Sequence, residues 1–133
     1  MTKFLGRYSE TFYALLRIVA GYCFLLHGAQ KLFGALGGQK QPIVSLMGLA
    51  GIIEFFGGLL ILLGLFASIA AFIASGQMAV AYFMVHASQG NPLFPLLNDG
   101  EPAVLYCFIF LYIAARGAGK WSVAAALKKP ALS

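Results

Sequence analysis

From Ile43 to His86 the chain is apolar for about 44 residues, with Glu54 the one charged side chain inside the run. As a single helix rising about 1.5 Å per residue, that segment would be roughly 66 Å long, about twice the hydrocarbon thickness of a bilayer. It must therefore fold back on itself. The reversal belongs near Gly64-Leu65-Phe66, where a glycine can take the left-handed conformation that ends a helix. Two spanning helices follow, from about Ile43 to Leu63 and from Ala67 to His86.

Thr11 to Phe33 supplies another stretch of spanning length. After His86 the segment from Ser88 to Pro102 carries three prolines and two glycines, which forbid a continuous helix. Pro102 suits the first turn of a further helix running to about Arg116. The composition agrees: 61% of residues are hydrophobic and 10% charged, against about 45–50% and about 25% in soluble domains. Twelve Phe and six Tyr argue against disorder. The expected fold is all-α, an integral membrane four-helix bundle forming a single domain over residues 1–133, with helices at about 11–33, 43–63, 67–86 and 102–116.

The net charge of +5 reads as a topology signal and not as a nucleic-acid surface, because the basic residues form no shared basic face. Lys3, Arg7, Arg116, Lys120, Lys128 and Lys129 fall at one end of the bundle, and only Lys31 and Lys40 at the other. The positive-inside rule then puts both termini in the cytoplasm. Gly119 to Lys129 reads as a short interfacial helix, with Trp121 at headgroup depth and lysines facing anionic lipid; a frayed tail is the alternative.

Ionisable residues inside a spanning segment are costly and mark either a function or a structural pair. Arg17, His27 and Lys31 lie on the first helix, Glu54 on a glycine- and alanine-lined face of the second, Gln77 on a face of the third shared with Ala70, Ala74 and Ala81, His86 at the outer end of that helix, and Asp99 and Glu101 at the start of the fourth. Depth arithmetic sets Arg17 about 9 Å and Glu54 about 15 Å from the same boundary, so an Arg17–Glu54 ion pair is the expected bundle lock. The alternative is a protonatable Glu54 with its pKa raised by desolvation. His27, Lys31, Glu54, His86, Glu101 and Tyr106 form the candidate ligand or proton-handling pocket, which is polar and faces outward at the opposite boundary. Each has a plainer reading: Lys31 snorkels to the headgroups, and His86 is a wetted helix end. His27 lies too deep for water without a cavity, and there it can shuttle a proton or donate to a carbonyl.

Cys23 and Cys107 are isolated thiols with no CxxC, which argues against disulfide exchange. The chain has no GxGxxG, Walker loop or HExxH. His27 and His86, read at different depths, make a poor haem pair, so no metal and no intrinsic cofactor is expected.

The ordered set Leu16-Arg17, Gly21, Phe24-Leu-Leu-His27-Gly28-Ala-Gln-Lys31-Leu-Phe-Gly34, then Gly51-Ile-Ile-Glu54-Phe-Phe-Gly57-Gly58 through Gly64-Leu-Phe, then Met78 to His86, Gly100-Glu101 with Leu105-Tyr106, and Gly117-Ala-Gly119-Lys-Trp121-Ser122 resembles the DoxX family of small four-helix bacterial membrane proteins. Two positions depart from its pattern: Ala67 and Ser68 stand where the family often has a basic residue, and Val123 and Ala124 where it has an aspartate. The resemblance implies a bacterial inner-membrane protein associated with respiratory or redox chemistry, and it marks His27, Lys31, Glu54, His86 and Glu101 as the residues to test.

Two functions from different classes remain. In one, the chain is a subunit of a membrane oxidoreductase complex that holds a quinone head group among His27, Lys31, Tyr106, Glu54 and His86, with electrons supplied by a redox partner protein. In the other, it is a structural, assembly or interaction protein, alone or as a homo-oligomer, whose charges only lock helices in the lipid bilayer. A small transporter is a weaker third, since four helices without an internal repeat leave little room for alternating access.

Overall fold

Ser45 sets the start of the second helix: its Oγ accepts the Gly48 N–H at 2.9 Å, capping a turn that leaves Ile43 and Val44 outside. Such local signals divide the computed structural model, which describes residues 1–133, into helices joined by turns and irregular loops, with no strand. We number the principal helices α1 (Thr2–Phe33), α2 (Leu46–Leu63), α3 (Ala67–Gln89), α4 (Glu101–Arg116) and α5 (Val123–Ala126). The first three are long and apolar enough to cross a membrane. At 16 residues, α4 is shorter and would reach about 24 Å.

α1 passes through a tight turn at Gly6–Tyr8, runs regularly over Ser9–Phe33 and stops at Gly34, whose φ of 67° is left-handed. Gly64, with φ 66° and ψ 42°, ends α2, and the chain reverses into α3 within Gly64, Leu65 and Phe66. Two wide π-helical turns interrupt the regular helices, at Ile53–Gly57 in α2 and at Tyr82–His86 in α3. The α3 turn carries the helix past His86 to Gln89. Insertions of this kind re-aim side chains and recur at functional sites.

α1 and α2 run antiparallel and touch backbone to backbone. A Cβ at Gly21 would meet the Leu62 backbone, one at Gly58 the Leu25 backbone, and one at Gly28 the Phe55 backbone. The small residues thus let these helices approach more closely than any side chain would permit. α3 and α4 pair differently, through an alanine face of Ala70, Ala71 and Ala74 that receives Phe110 and Ile113. Two hydroxyls stitch that seam: Ser68 Oγ donates to the Ala114 carbonyl at 2.6 Å and Ser75 Oγ to the Cys107 carbonyl at 2.8 Å. Each pair lies two turns from the other on both helices, which fixes an antiparallel register.

The chain beyond α4 is docked and not frayed. α5 is a single turn capped by Ser122, whose Oγ accepts the Ala125 N–H at 3.1 Å. Backbone bonds tie the segment to the α2–α3 turn: Ala124 N–H to Gly64 O, Phe66 N–H to Leu132 O, and Ser68 N–H to Ser133 O. The docked segment, the α2–α3 turn and the start of α1 form one end of the molecule, here called the termini end. The loops 34–45 and 90–100 form the loop end.

Candidate functional site

In an α-helix every Cα–Cβ bond tilts toward the helix N-terminus, so long side chains lean back along their own helix. On α1 that direction is toward the termini end, and on the antiparallel α2 it is toward the loop end. Lys31, near the end of α1, therefore leans into the bundle, while Glu54 on α2 leans up to meet it. A Cβ on Gly51 would lie 3.0 Å from Lys31 Cβ, which sets Lys31 level with a position one turn before Glu54. The two side chains close that gap. Lys31 Nζ donates to Glu54 Oε1 at 2.5 Å and to Oε2 at 2.7 Å, and the carboxylate is 2% exposed.

The same lean takes Arg17 away from Glu54. The expected Arg17–Glu54 pair does not form; the guanidinium reaches the termini end and makes no ion pair. Its Nη1 donates to the Ile61 and Leu62 carbonyls at 2.7 and 2.8 Å, and its Nη2 to those of Lys120 and Trp121 at 3.2 and 2.7 Å. Arg17 is wholly buried. Its charge sits at the C-terminus of α2, where the last carbonyls and the helix dipole favour a cation. The depth count misjudged the register: Gly21 faces Leu62 and Gly28 faces Phe55, so Glu54 is level with about position 29 of α1, roughly 18 Å from Arg17 along the helix. Lys31 likewise does not snorkel outward, since the nearest carboxylate lies inward.

Gln77 on α3 completes the cluster: its Nε2 donates to Glu54 Oε1 at 2.9 Å. Its own Oε1 is buried without a hydrogen-bond partner. The sequence placed Gln77 on the alanine face of the third helix, but nothing in the spacing pointed it at a carboxylate on the second. Glu54 and His86 both lie in the π-helical turns.

These groups line a cavity of about 240 Å³ with Phe24, His27, Met47, Met78, Tyr106 and others. Five of the six pocket residues expected from the sequence, His27, Lys31, Glu54, His86 and Tyr106, meet there. The sixth does not. Glu101, the first residue of α4, is exposed and borders a neighbouring groove of about 370 Å³ with Cys23, Leu105 and Tyr106. Its position suits the positive N-terminal end of α4. His27 is exposed at the cavity edge, its ring edge-on to Tyr106 at 6.3 Å between centroids. Although the count along the sequence set His27 and His86 at different depths, both border this one space.

His86 is oriented by the loop that follows α3. Its Nδ1 lies 3.0 Å from the Asn98 carbonyl oxygen, which can only accept, so Nδ1 carries the proton. In the neutral ring Nε2 is then a free acceptor. Asn98 is itself held, its Nδ2 donating to Tyr82 Oη and its Oδ1 accepting the Gly100 N–H. Tyr82 in turn donates to the Pro92 carbonyl. Beside the cavity an apolar groove of about 260 Å³ runs between α2 and α3, lined by Leu46, Leu49, Ile53, Ile73, Val80 and Met84. Met47, Ala50, Gln77, Ala81 and Val85 border both spaces, so the chamber and the groove share one wall.

Comparison with known proteins places this geometry in a wider set. The family model described as DoxX matches residues 12–87, the segment that contributes Arg17, His27, Lys31, Glu54, Gln77 and His86. An uncharacterised protein of Haemophilus influenzae is 45% identical over 123 residues, covering 86% of this chain and 90% of that protein. No solved structure matches.

Proposed function

The chain belongs to the DoxX family, and from that premise we propose that it is a quinone-binding subunit of a membrane redox complex. It spans the bacterial inner membrane four times, α4 being the fourth crossing, with both termini in the cytoplasm. Seven of the nine Lys and Arg residues support that orientation: Lys3, Arg7, Arg17, Arg116, Lys120, Lys128 and Lys129 belong to the termini end. The loop end, and the cavity nearest to it, then face outward.

The observation that carries the ligand reading is the Lys31–Glu54–Gln77 cluster lining a chamber that shares five wall residues with an apolar groove. A chamber of about 240 Å³ falls below the range of about 300–1,000 Å³ typical of drug-sized ligands and suits one substituted six-membered ring. The adjoining groove suits an isoprenoid tail. Lys31 has three N–H donors and uses two on Glu54, leaving the third for a ligand oxygen. Tyr106 and His27 stand at the chamber wall as further hydrogen-bonding groups, and His86 Nε2 can accept a proton there. A bound quinone supplies two-electron, two-proton chemistry, with electrons delivered by a partner protein.

Glu54 is fully engaged by Lys31 and Gln77, and this favours a second reading, in which the cluster only locks α1, α2 and α3 and the chain serves assembly. One experiment separates the two. Purified protein in mild detergent is titrated with a decyl-tailed benzoquinone by calorimetry, as wild type and as His27→Leu, Lys31→Met and His86→Phe. Saturable one-to-one binding that weakens about tenfold or more in Lys31→Met supports the quinone reading. Absence of binding to wild-type protein, with the variants altered only in thermal stability, leaves the assembly reading.

A further inference from the structure

Two of the unsatisfied groups around the chamber can only accept a hydrogen bond. Gln77 Oε1 is buried with no donor. The amide cannot be turned over to relieve it, because Nε2 faces the Glu54 carboxylate at 2.9 Å and two oxygens would then collide electrostatically. His86 Nε2 is the second acceptor, fixed by Nδ1–H on the Asn98 carbonyl. Against them stands one donor on the same cluster, the third N–H of Lys31. Two acceptors and a donor complement a hydroxyl, whose oxygen accepts from Lys31 while its hydrogen goes to Gln77 or His86. A carbonyl oxygen can accept from Lys31 but leaves both of these acceptors unpaired.

We propose that the chamber binds the reduced, dihydroxy form of an aromatic head group in preference to its dicarbonyl form, through Gln77 Oε1 and His86 Nε2. The proposal rests on the quinone-binding reading above and specifies which redox form the site holds. A site built to pair a hydroxyl discriminates against an analogue that leaves its polar groups unpaired. One buried acceptor left without a donor is enough for about a tenfold difference in affinity.

The test uses the full-length protein in detergent under anaerobic conditions and four decyl-tailed probes: the benzoquinone, its hydroquinone, and the mono- and dimethyl ethers of that hydroquinone. The expected result is hydroquinone binding about tenfold or more tighter than the quinone, with affinity falling as hydroxyls are methylated. Gln77→Leu is expected to narrow the hydroquinone-to-quinone affinity ratio toward one. Should that variant fail to fold, the ether series on wild-type protein decides the matter alone. Equal affinity for the two redox forms, or tighter quinone binding, overturns this inference and leaves the quinone reading intact. If no probe binds, the quinone reading itself falls and the preference with it.

Discussion

Lys31 Nζ stands 2.5 and 2.7 Å from the two carboxylate oxygens of Glu54, joining the last turns of α1 to the middle of α2. Removing one partner leaves the other charge uncompensated in a poorly solvated place. Lys31→Met is therefore expected to destabilise the protein by about 3 kcal/mol. The double variant Lys31→Met/Glu54→Gln should recover much of that loss, because neither residue is then charged. Thermal unfolding in detergent of the two singles and the double closes the cycle, and additive losses would refute the coupling.

Arg17 holds four carbonyls from two distant segments at once. Arg17→Met should release the docked segment from α2, lowering stability by about 3 kcal/mol. Trypsin cleavage after Lys120 and Lys128 should become faster. Arg17→Lys is expected to rescue only in part, since an ammonium cannot span both carbonyl pairs as the planar guanidinium does. Equal protease resistance in wild type and Arg17→Met would contradict this account.

Gly28 packs against the Phe55 backbone, whereas Gly76, on the exposed side of α3, has nothing within 4 Å of the place its Cβ would occupy. Opposite outcomes follow from the same substitution. Gly28→Ala should cost about 1–3 kcal/mol by forcing α1 from α2. Gly76→Ala should stabilise by about 0.5–1 kcal/mol through helix propensity alone. Melting temperatures moving in the same direction would show that backbone approach is not the controlling factor.

Much of this arrangement is legible in the sequence, and its gaps have a common origin. The length of the apolar run and the glycine at 64 locate the α2–α3 reversal, because a left-handed helix end favours glycine. Residue type and approximate height gather His27, Lys31, Glu54, His86 and Tyr106 into one space. Partner choice is harder to read. Counting residues from the membrane boundaries set Arg17 and Glu54 close in height, but the glycine contacts that fix how α1 slides along α2 put them roughly 18 Å apart, and the backward lean of the side chains widens that gap. Gln77 was visible as a polar residue on a small-residue face, but its contact with Glu54 depends on how α3 sits against α2. The π-helical turns carry no local sequence signal of the kind that Ser45 or Gly34 supply.

Ser68 and Ser75 bond to carbonyls two turns apart on α4. Ser68→Ala and Ser75→Ala should each cost about 0.6 kcal/mol, the average for interhelical hydrogen bonds in a membrane. The sites are about 10 Å apart along the helix, so their losses should add. A double-variant loss well beyond the sum would show that the seam acts as one cooperative unit.

The four carbonyls around Arg17 also impose an order on biosynthesis. Ile61 and Leu62 follow it by 44 and 45 positions, whereas Lys120 and Trp121 follow by 103 and 104. A ribosome delivering the chain from its N-terminus thus presents the guanidinium with half of its acceptors as soon as the first hairpin is inserted. The remainder arrive only after α4 has been made. For that interval the nascent hairpin carries a cation with incomplete compensation inside the bilayer, a state that a membrane insertase or a quality-control protease can distinguish from the finished molecule.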